Sequence, residues 1–361
     1  MKRIIKGLFV VLNTVVVLLL LASTLAGEVA PSRVLWPSLL SYAFFPLLVT
    51  NVFFVLLWLL ASSKWFLLST ALILLRVSFL PLYMQFGSNT HPATADTLRV
   101  MTYNVHGCYG SNFISDMDRR LEQIDSNAHE LLRIIDKEQP DVLNLQEFVY
   151  MANHTALADS LAARGYAYSV SASPQRRRYN TVTISRYQLL APVYIDSVER
   201  MAVDVVKGGD TVRVMNLHLE SYRLDEKDYQ VLSATTHGDL TPDSVRSTLS
   251  KLKHVSLVHE QEWKEVEGFL RQSPHPCIVT GDFNDTPASY FYQNITDYLV
   301  DSYRECGNGF CTTYHGRFPA FRIDYVLHSP QLKTLSYKRV KSDLSDHYPL
   351  FVTLQINGNQ E

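Results

Sequence analysis

The chain has 361 residues, 47% hydrophobic and 19% charged, with a formal net charge of −2. A balance so near zero names no particular partner, and it argues against the basic, aromatic-studded surface of a protein that tracks along duplex nucleic acid. The average hides a split: residues 1–86 are overwhelmingly apolar, and the remainder has the composition of an ordinary soluble domain.

Three apolar stretches stand out, at about 7–26, 38–60 and 65–86, each near the ~20 residues needed to cross a bilayer. Lys2, Arg3 and Lys6 precede the first, and its end offers the small residues of a signal-peptide cleavage site. Its apolar core is long for a signal peptide, however, and two more apolar stretches follow, so three transmembrane helices are predicted. Lys2, Arg3, Lys6 and Lys64 flank the spans on one side. The other side has Arg33 beside Glu28, so a cytoplasmic N-terminus is predicted. Three crossings then put the C-terminal domain outside the cytoplasm. Arg76 interrupts the third stretch, where a central arginine costs roughly 2.5–3.5 kcal/mol. It either snorkels or packs against the other helices; if instead the third stretch lies in the interface, the domain faces the cytoplasm.

Residues 87–96 read as a linker and 97–356 as one domain with a large core. Strand-like runs are Leu98–Tyr103, Val142–Leu145, Tyr166–Val170, Thr181–Ile184, Val212–Leu217, Cys277–Thr280, Ile323–Leu327 and Leu350–Leu354, all rich in β-branched and aromatic residues. Helical periodicity marks Leu121–Lys137 and Val255–Arg271. The polar stretch Tyr222–Thr248 reads as a loop or a partly helical excursion. Strands mixed with helices predict an α/β fold of two packed sheets with helices outside. Of the four cysteines, Cys306 and Cys311 flank a Gly-Asn-Gly turn at a spacing that suits a small disulfide loop. No second nearby pair completes a tetrahedral zinc site.

Polar residues cluster at the ends of the strand-like runs. These are Asn104 in TYNVHG, Gln146-Glu147 in LNLQEF, Asn216 and His218 in MNLHLES, Asp282 and Asn284 in VTGDFNDTP, Asp324 in FRIDYVLHS, and Ser345-Asp346-His347. Strand ends are where α/β folds present side chains to a ligand. Taken singly, each has a plain structural role: a solvated glutamate, a turn asparagine, a helix cap at Asp282–Asp285, a structural histidine. Together, carboxylates and carboxamides suit a hard cation, and histidines move protons or stabilise an oxyanion. That combination points to metal-assisted cleavage of a phosphate ester. Arg176-Arg177-Arg178 is either a solvated loop or a contact for an anionic group.

In their order and spacing these motifs resemble the endonuclease/exonuclease/phosphatase superfamily, which includes deoxyribonuclease I, exonuclease III-type repair nucleases, neutral sphingomyelinases and inositol-polyphosphate 5-phosphatases. The resemblance runs from Val100 to about Leu354 and leaves out the N-terminal helices, which look like those of bacterial membrane-anchored members. It implies a four-layer α/β sandwich and a Mg²⁺ (or Mn²⁺) ion held by Glu147 and Asp346 with help from Asn104. It gives Asp282 and Asn284 the nucleophilic water and the scissile phosphate, and His347, oriented by Asp324, the transition state. His218 would donate to a phosphate oxygen or the leaving group; histidine here resembles the deoxyribonuclease, sphingomyelinase and phosphatase branches, since the repair nucleases tend to have tyrosine. Which residue accepts the water's proton is left open between His347 and Asp282. The departure is around Tyr179–Ile184, where many members carry a glycine-containing segment.

The resulting expectation is a multi-pass bacterial inner-membrane phosphoesterase acting on a phospholipid, a phosphorylated small molecule or nucleic acid, with the bilayer as its other partner and no protein partner. The rival readings are a non-specific endonuclease and an inactive membrane-tethered scaffold.

Overall fold

The computed structural model describes the chain except residues 1, 88–89, 92–95, 109–116, 150–153, 173–178, 191, 196–199, 234–240, 317–320 and 357–361. The Arg176–Arg178 run and most of the predicted linker therefore lie outside the described residues.

The helices are α1 (Lys2–Thr24), α2 (Leu35–Ser41), α3 (Phe44–Leu60), α4 (Phe66–Leu75), α5 (Leu80–Tyr83), α6 (Met117–Glu138), α7 (His154–Ala162), α8 (Glu226–Ser233), α9 (Pro242–Arg271), α10 (Tyr290–Ile295) and α11 (Ser302–Cys306). The strands are β1 (Met84–Gln85), β2 (Thr97–Asn104), β3 (Val142–Val149), β4 (Tyr168–Ser171), β5 (Tyr179–Ser185), β6 (Gln188–Leu189), β7 (Val193–Tyr194), β8 (Arg200–Lys207), β9 (Asp210–His218), β10 (Cys277–Asp282), β11 (Val300–Asp301), β12 (Gly309–Phe310), β13 (Asp324–His328), β14 (Lys333–Arg339) and β15 (Leu350–Gln355). Two compact units result: Met1–Pro81 with Glu220–Lys264 and Asp285–Ile295, and the remaining segments between Leu82 and Glu361.

Among the described residues of the first unit, α1 alone is long and apolar enough to cross a membrane as one unbroken helix. Its 23 residues extend about 34 Å, enough for a hydrocarbon core of about 30 Å. The other two predicted spans are broken. α2 and α3 meet at 78°, and α4 bends by 56° into the turn that leads to α5. Each break lies about four residues before a proline, Pro46 or Pro81, whose missing N–H removes a helical hydrogen bond there. Arg76 sits at the second break, 3.7 Å from Glu28, rather than in mid-helix. The helices meet through Val16, Phe54 and Trp58 and through buried amides. Asn13 donates to Ser69 Oγ (2.7 Å) and accepts from Trp58 Nε1 (2.9 Å). Ile4, Leu8, Val11, Val15 and Leu18 form an exposed stripe along α1. The same unit contains α8 and the first part of α9, which begins 13 residues before the predicted helix, at Pro242 instead of Val255.

The second unit is built on two sheets. One runs β14-β15-β2-β3-β5-β4; the other runs β11-β13-β10-β9-β8-β6, with β7 also on β8. Strand alternation explains the layering. Leu98 and Val100 of β2, with Val142 and Val352, share one core with Val203, Val214, Ile278 and Val326 of the second sheet, so the sheets pack face to face. Met101, Tyr103, Leu143 and Leu145 point the other way, into a second core with Leu131, Ile134 and Ile135 of α6 and Leu157 of α7. The α/β sandwich is thus present as expected. β8 and β14 lie outside the predicted strand-like runs. β8 pairs with β9 through a Gly208-Gly209 turn, both residues at positive φ, as a two-residue hairpin requires. The suggested disulfide is absent: Cys306 and Cys311 are buried free thiols, the first against the Thr334 carbonyl and the second against the Tyr337 hydroxyl.

Candidate active site

Toward the C-terminal ends of β2 and β3 the layer between the sheets turns from apolar to polar. Asn144 accepts from Thr183 Oγ1 (2.7 Å), and Gln146 donates to Asn216 Oδ1 (2.7 Å), all of them fully buried. Asn216 therefore braces the two sheets.

Register brings the candidate residues together. In the second sheet His218, Asp282 and Asp324 occupy one row across β9, β10 and β13. In the first sheet Asn104 is opposite Gln146, and the β3–β5 ladder slips between Leu145 and Phe148. Glu147 lies in that bulge at φ 51°, a left-handed conformation costly for a non-glycine residue. Bulges re-aim side chains; here the Glu147 Oε1 accepts from Asn104 Nδ2 at 3.0 Å. The same amide donates to Asp282 Oδ2 (3.0 Å), and Asn104 Oδ1 accepts from the His106 N–H. Asn104 thus links two carboxylates.

Gly281 has φ 136°, and a Cβ there would lie 1.8 Å from the Leu217 carbonyl oxygen, so only glycine lets β10 approach β9 this closely. Asn284 also has positive φ. Its N–H donates to Asp282 Oδ1 (2.8 Å) and its Nδ2 to the Leu219 carbonyl (3.0 Å).

His347 Nδ1 is 2.9 Å from Asp324 Oδ2, and its Nε2 is 3.6 Å from Asp282 Oδ2. Burial pulls this imidazole toward its neutral form, but Asp324 and Asp282 outweigh it and hold its pKa well above the ordinary histidine value. Burial likewise pushes the Asp282 carboxyl up to about 6, against the pull of His347 and His218. His218 Nε2 lies 3.7 Å from Glu147 Oε1 and 3.9 Å from Asp282 Oδ2. Ser345 Oγ donates to the Asn104 carbonyl (2.8 Å), which ties the Ser-Asp-His turn to β2.

Donor chemistry separates two groups of acids. Asp282, Asp324 and His347 place ligand-type atoms within 4.8 Å of one another, but Asp324 and His347 already bond each other. The side chains of Glu147 and Asp346 are each 22% exposed, against 1% and 2% for Asp282 and Asp324. Mg²⁺ sheds its waters reluctantly and favours carboxylates that leave room for them, so Glu147 and Asp346 fit such an ion better than the buried trio.

The motifs passed over two neighbours. His106 Nδ1 is 3.5 Å from Asp346 Oδ1, and Tyr314 sets its ring edge-on to His347 at 5.1 Å. His106 lies inside the quoted TYNVHG motif, which was a usable signal; nothing local marks Tyr314.

A two-sheet α/β sandwich with acids, amides and histidines gathered at its strand ends defines a phosphoesterase-type scaffold. The chain matches the Endonuclease/Exonuclease/phosphatase family over residues 101–347, and it belongs to that family. Residues 6–83 match a domain of unknown function, DUF8431. Among curated proteins no match was found. Among solved structures, a humanized D. rerio TDP2 is 18% identical, covering 72% of this chain and 99% of that one, with a TM-score of 0.50. An endonuclease/exonuclease/phosphatase from Bacteroides vulgatus is 20% identical over 72% and 99% of the two chains, with a TM-score of 0.48. At these identities the likeness concerns the fold. Family members hydrolyse phosphodiester bonds and typically use divalent metals.

Proposed function

We propose that the chain is a membrane-anchored, Mg²⁺-dependent phosphoesterase whose domain, residues 97–356, hydrolyses a phosphate ester by in-line attack of water. The observation that carries this reading is the single row His218–Asp282–Asp324, with His347 bonded to Asp324 and 3.6 Å from Asp282.

Glu147 and Asp346, assisted by Asn104, would hold the ion. Once bound, it would neutralise phosphate charge and the developing charge on the leaving group. Asp282 and Asn284 orient the water. Between the two candidates for its proton, the electrostatics favour Asp282. His347 is held in its cationic form by two carboxylates and has no free lone pair for a proton, whereas a carboxyl at about 6 is ionised and moderately basic at neutral pH. His347, as an imidazolium, would then stabilise the charge of the transition state, with His218 at a phosphate oxygen or the leaving group.

The exposed apolar stripe on α1 supports anchoring, because such a face is costly in water and at home in lipid. We further propose that the two bent segments complete a three-span anchor, with the domain on the extracytoplasmic side of a bacterial inner membrane. The substrate would then be a phospholipid or another phosphoester near the bilayer.

The test is turnover by the full chain in detergent or nanodiscs, with Mg²⁺ and with EDTA, on sphingomyelin, inositol phosphates and plasmid DNA in parallel. Metal-dependent cleavage of a lipid or inositol phosphate supports the reading. Cleavage of plasmid DNA alone establishes a nuclease instead, and silence on every substrate in a folded chain favours an inactive scaffold.

A further inference from the structure

The His347–Asp324 pair is made across two sheets. Asp324 opens β13 in the seven-stranded sheet, and His347 precedes β15 in the six-stranded one, so no ladder fixes their 2.9 Å separation. The aim of Asp324 is also loosely specified by its own side chain: among the described residues its buried Oδ1 has no hydrogen-bond partner. The carboxylate is therefore placed by its backbone.

That backbone is held on one side by the β10 ladder, where the Phe283 N–H donates to the Ile323 carbonyl (2.8 Å), and on the other by one hydroxyl. Thr313 Oγ1 accepts from the Ile323 N–H at 2.9 Å and from the Asp324 N–H at 3.0 Å. The main chain of the same residue reaches both partners. Its N–H donates to the Phe321 carbonyl (2.9 Å), and its carbonyl accepts from the Tyr348 N–H (2.7 Å), one residue after His347. The next two residues continue toward the histidine: Tyr314 bridges Phe321 and His347, and the His315 N–H donates to the Asp346 carbonyl (2.8 Å). Thr313 is fully buried. Its β-branched side chain has restricted χ1 freedom, so the hydroxyl is held where the two N–H groups need it. A valine there would keep the shape and lose the acceptor.

We propose that Thr313 is a positioning residue that sets the distance and angle between Asp324 and His347. The rate readout of this proposal rests on the phosphoesterase reading above; its geometric readout does not.

The experiment compares Thr313→Ser, Thr313→Cys and Thr313→Val in the full chain. Turnover on the substrate the wild type cleaves is measured below each variant's melting temperature, alongside the Nδ1–H signal of His347 in ¹⁵N-histidine-labelled protein, assigned by its loss in His347→Gln. Serine keeps the acceptor, so kcat is expected within about threefold of wild type; the weak sulfur acceptor and then valine lower kcat progressively, by about 30-fold or more at valine, with KM within about twofold. The downfield Nδ1–H signal persists in Thr313→Ser and shifts or broadens away in Thr313→Cys and Thr313→Val. If valine does not fold, the step from serine to cysteine decides. Equal kcat across the variants, or an unchanged His347 signal in Thr313→Cys, overturns the proposal. If the wild type cleaves nothing, the phosphoesterase reading falls, and the His347 signal still decides the role of Thr313.

Discussion

His259 Nδ1 lies 3.0 Å from Asp285 Oδ2, while Nε2 of the same buried ring lies 2.9 Å from the Glu220 carbonyl. A carboxylate and a carbonyl can only accept, so both ring nitrogens carry protons and His259 is an imidazolium. The Tyr42 hydroxyl donates to the other oxygen of Asp285 at 2.6 Å. Asp285, which the sequence suggests as a helix cap, is instead the centre of a buried cluster in the first unit.

This cluster makes stability depend on pH. Burial works against the His259 charge, but the Asp285 hydrogen bond and charge, with Glu262, lift its pKa to about 9. An unfolded histidine titrates near ~6.5. The group's stabilisation is therefore complete below about 6.5 and is lost as pH rises through about 9. The melting temperature of the full chain, followed from pH 6 to 9.5, should contain a falling component that His259→Gln removes. Identical slopes in both proteins would count against a charged His259.

Replacing His347 with alanine should lower kcat by about 10²–10⁴-fold and leave KM nearly unchanged, as expected when an interaction made mainly in the transition state is removed. Steady-state kinetics on the preferred substrate give the answer, and an unaltered kcat would take His347 out of the mechanism.

Glu147→Gln keeps the size of the side chain and removes the charge that a hard cation needs. Isothermal titration of the full chain should show Mg²⁺ affinity reduced by about tenfold or more, with circular dichroism unchanged. Wild-type affinity in the variant would move the ion away from Glu147.

Gly281→Ala should destabilise by about 3 kcal/mol or more, because the new methyl group meets the Leu217 backbone and the residue must keep an unfavourable φ. Thermal melting tests this, and a wild-type midpoint would mean that β9 and β10 can separate at no cost.

Much of this molecule is legible in its sequence wherever the signal is local. The apolar runs ending in Asn104, Gln146, His218 and Asp282 are the strands β2, β3, β9 and β10, because a strand buried on both faces needs continuous apolar residues. β8 carries no such continuous signal, because Arg200, Asp204 and Lys207 interrupt its apolar pattern, although Gly208-Gly209 marks its turn. The breaks at residues 42–43 and 76 were readable from Pro46 and Pro81, but mean hydropathy does not register a missing N–H. What no local pattern carries is the Glu147 bulge, which depends on slippage against β5, or the hub at Thr313, whose partners lie eight to 35 residues away.

The placement of β15 has a consequence for biosynthesis. This strand is inserted between β14 and β2, in the interior of its sheet. Until it emerges from the ribosome, β2 exposes an unpaired edge, the kind of surface on which nascent chains aggregate. The Ser345–His347 turn is translated just ahead of β15. The Ser-Asp-His turn and the strand that covers this edge are therefore completed together, and β2 stays unpaired on that side until residues 350–355 are in place.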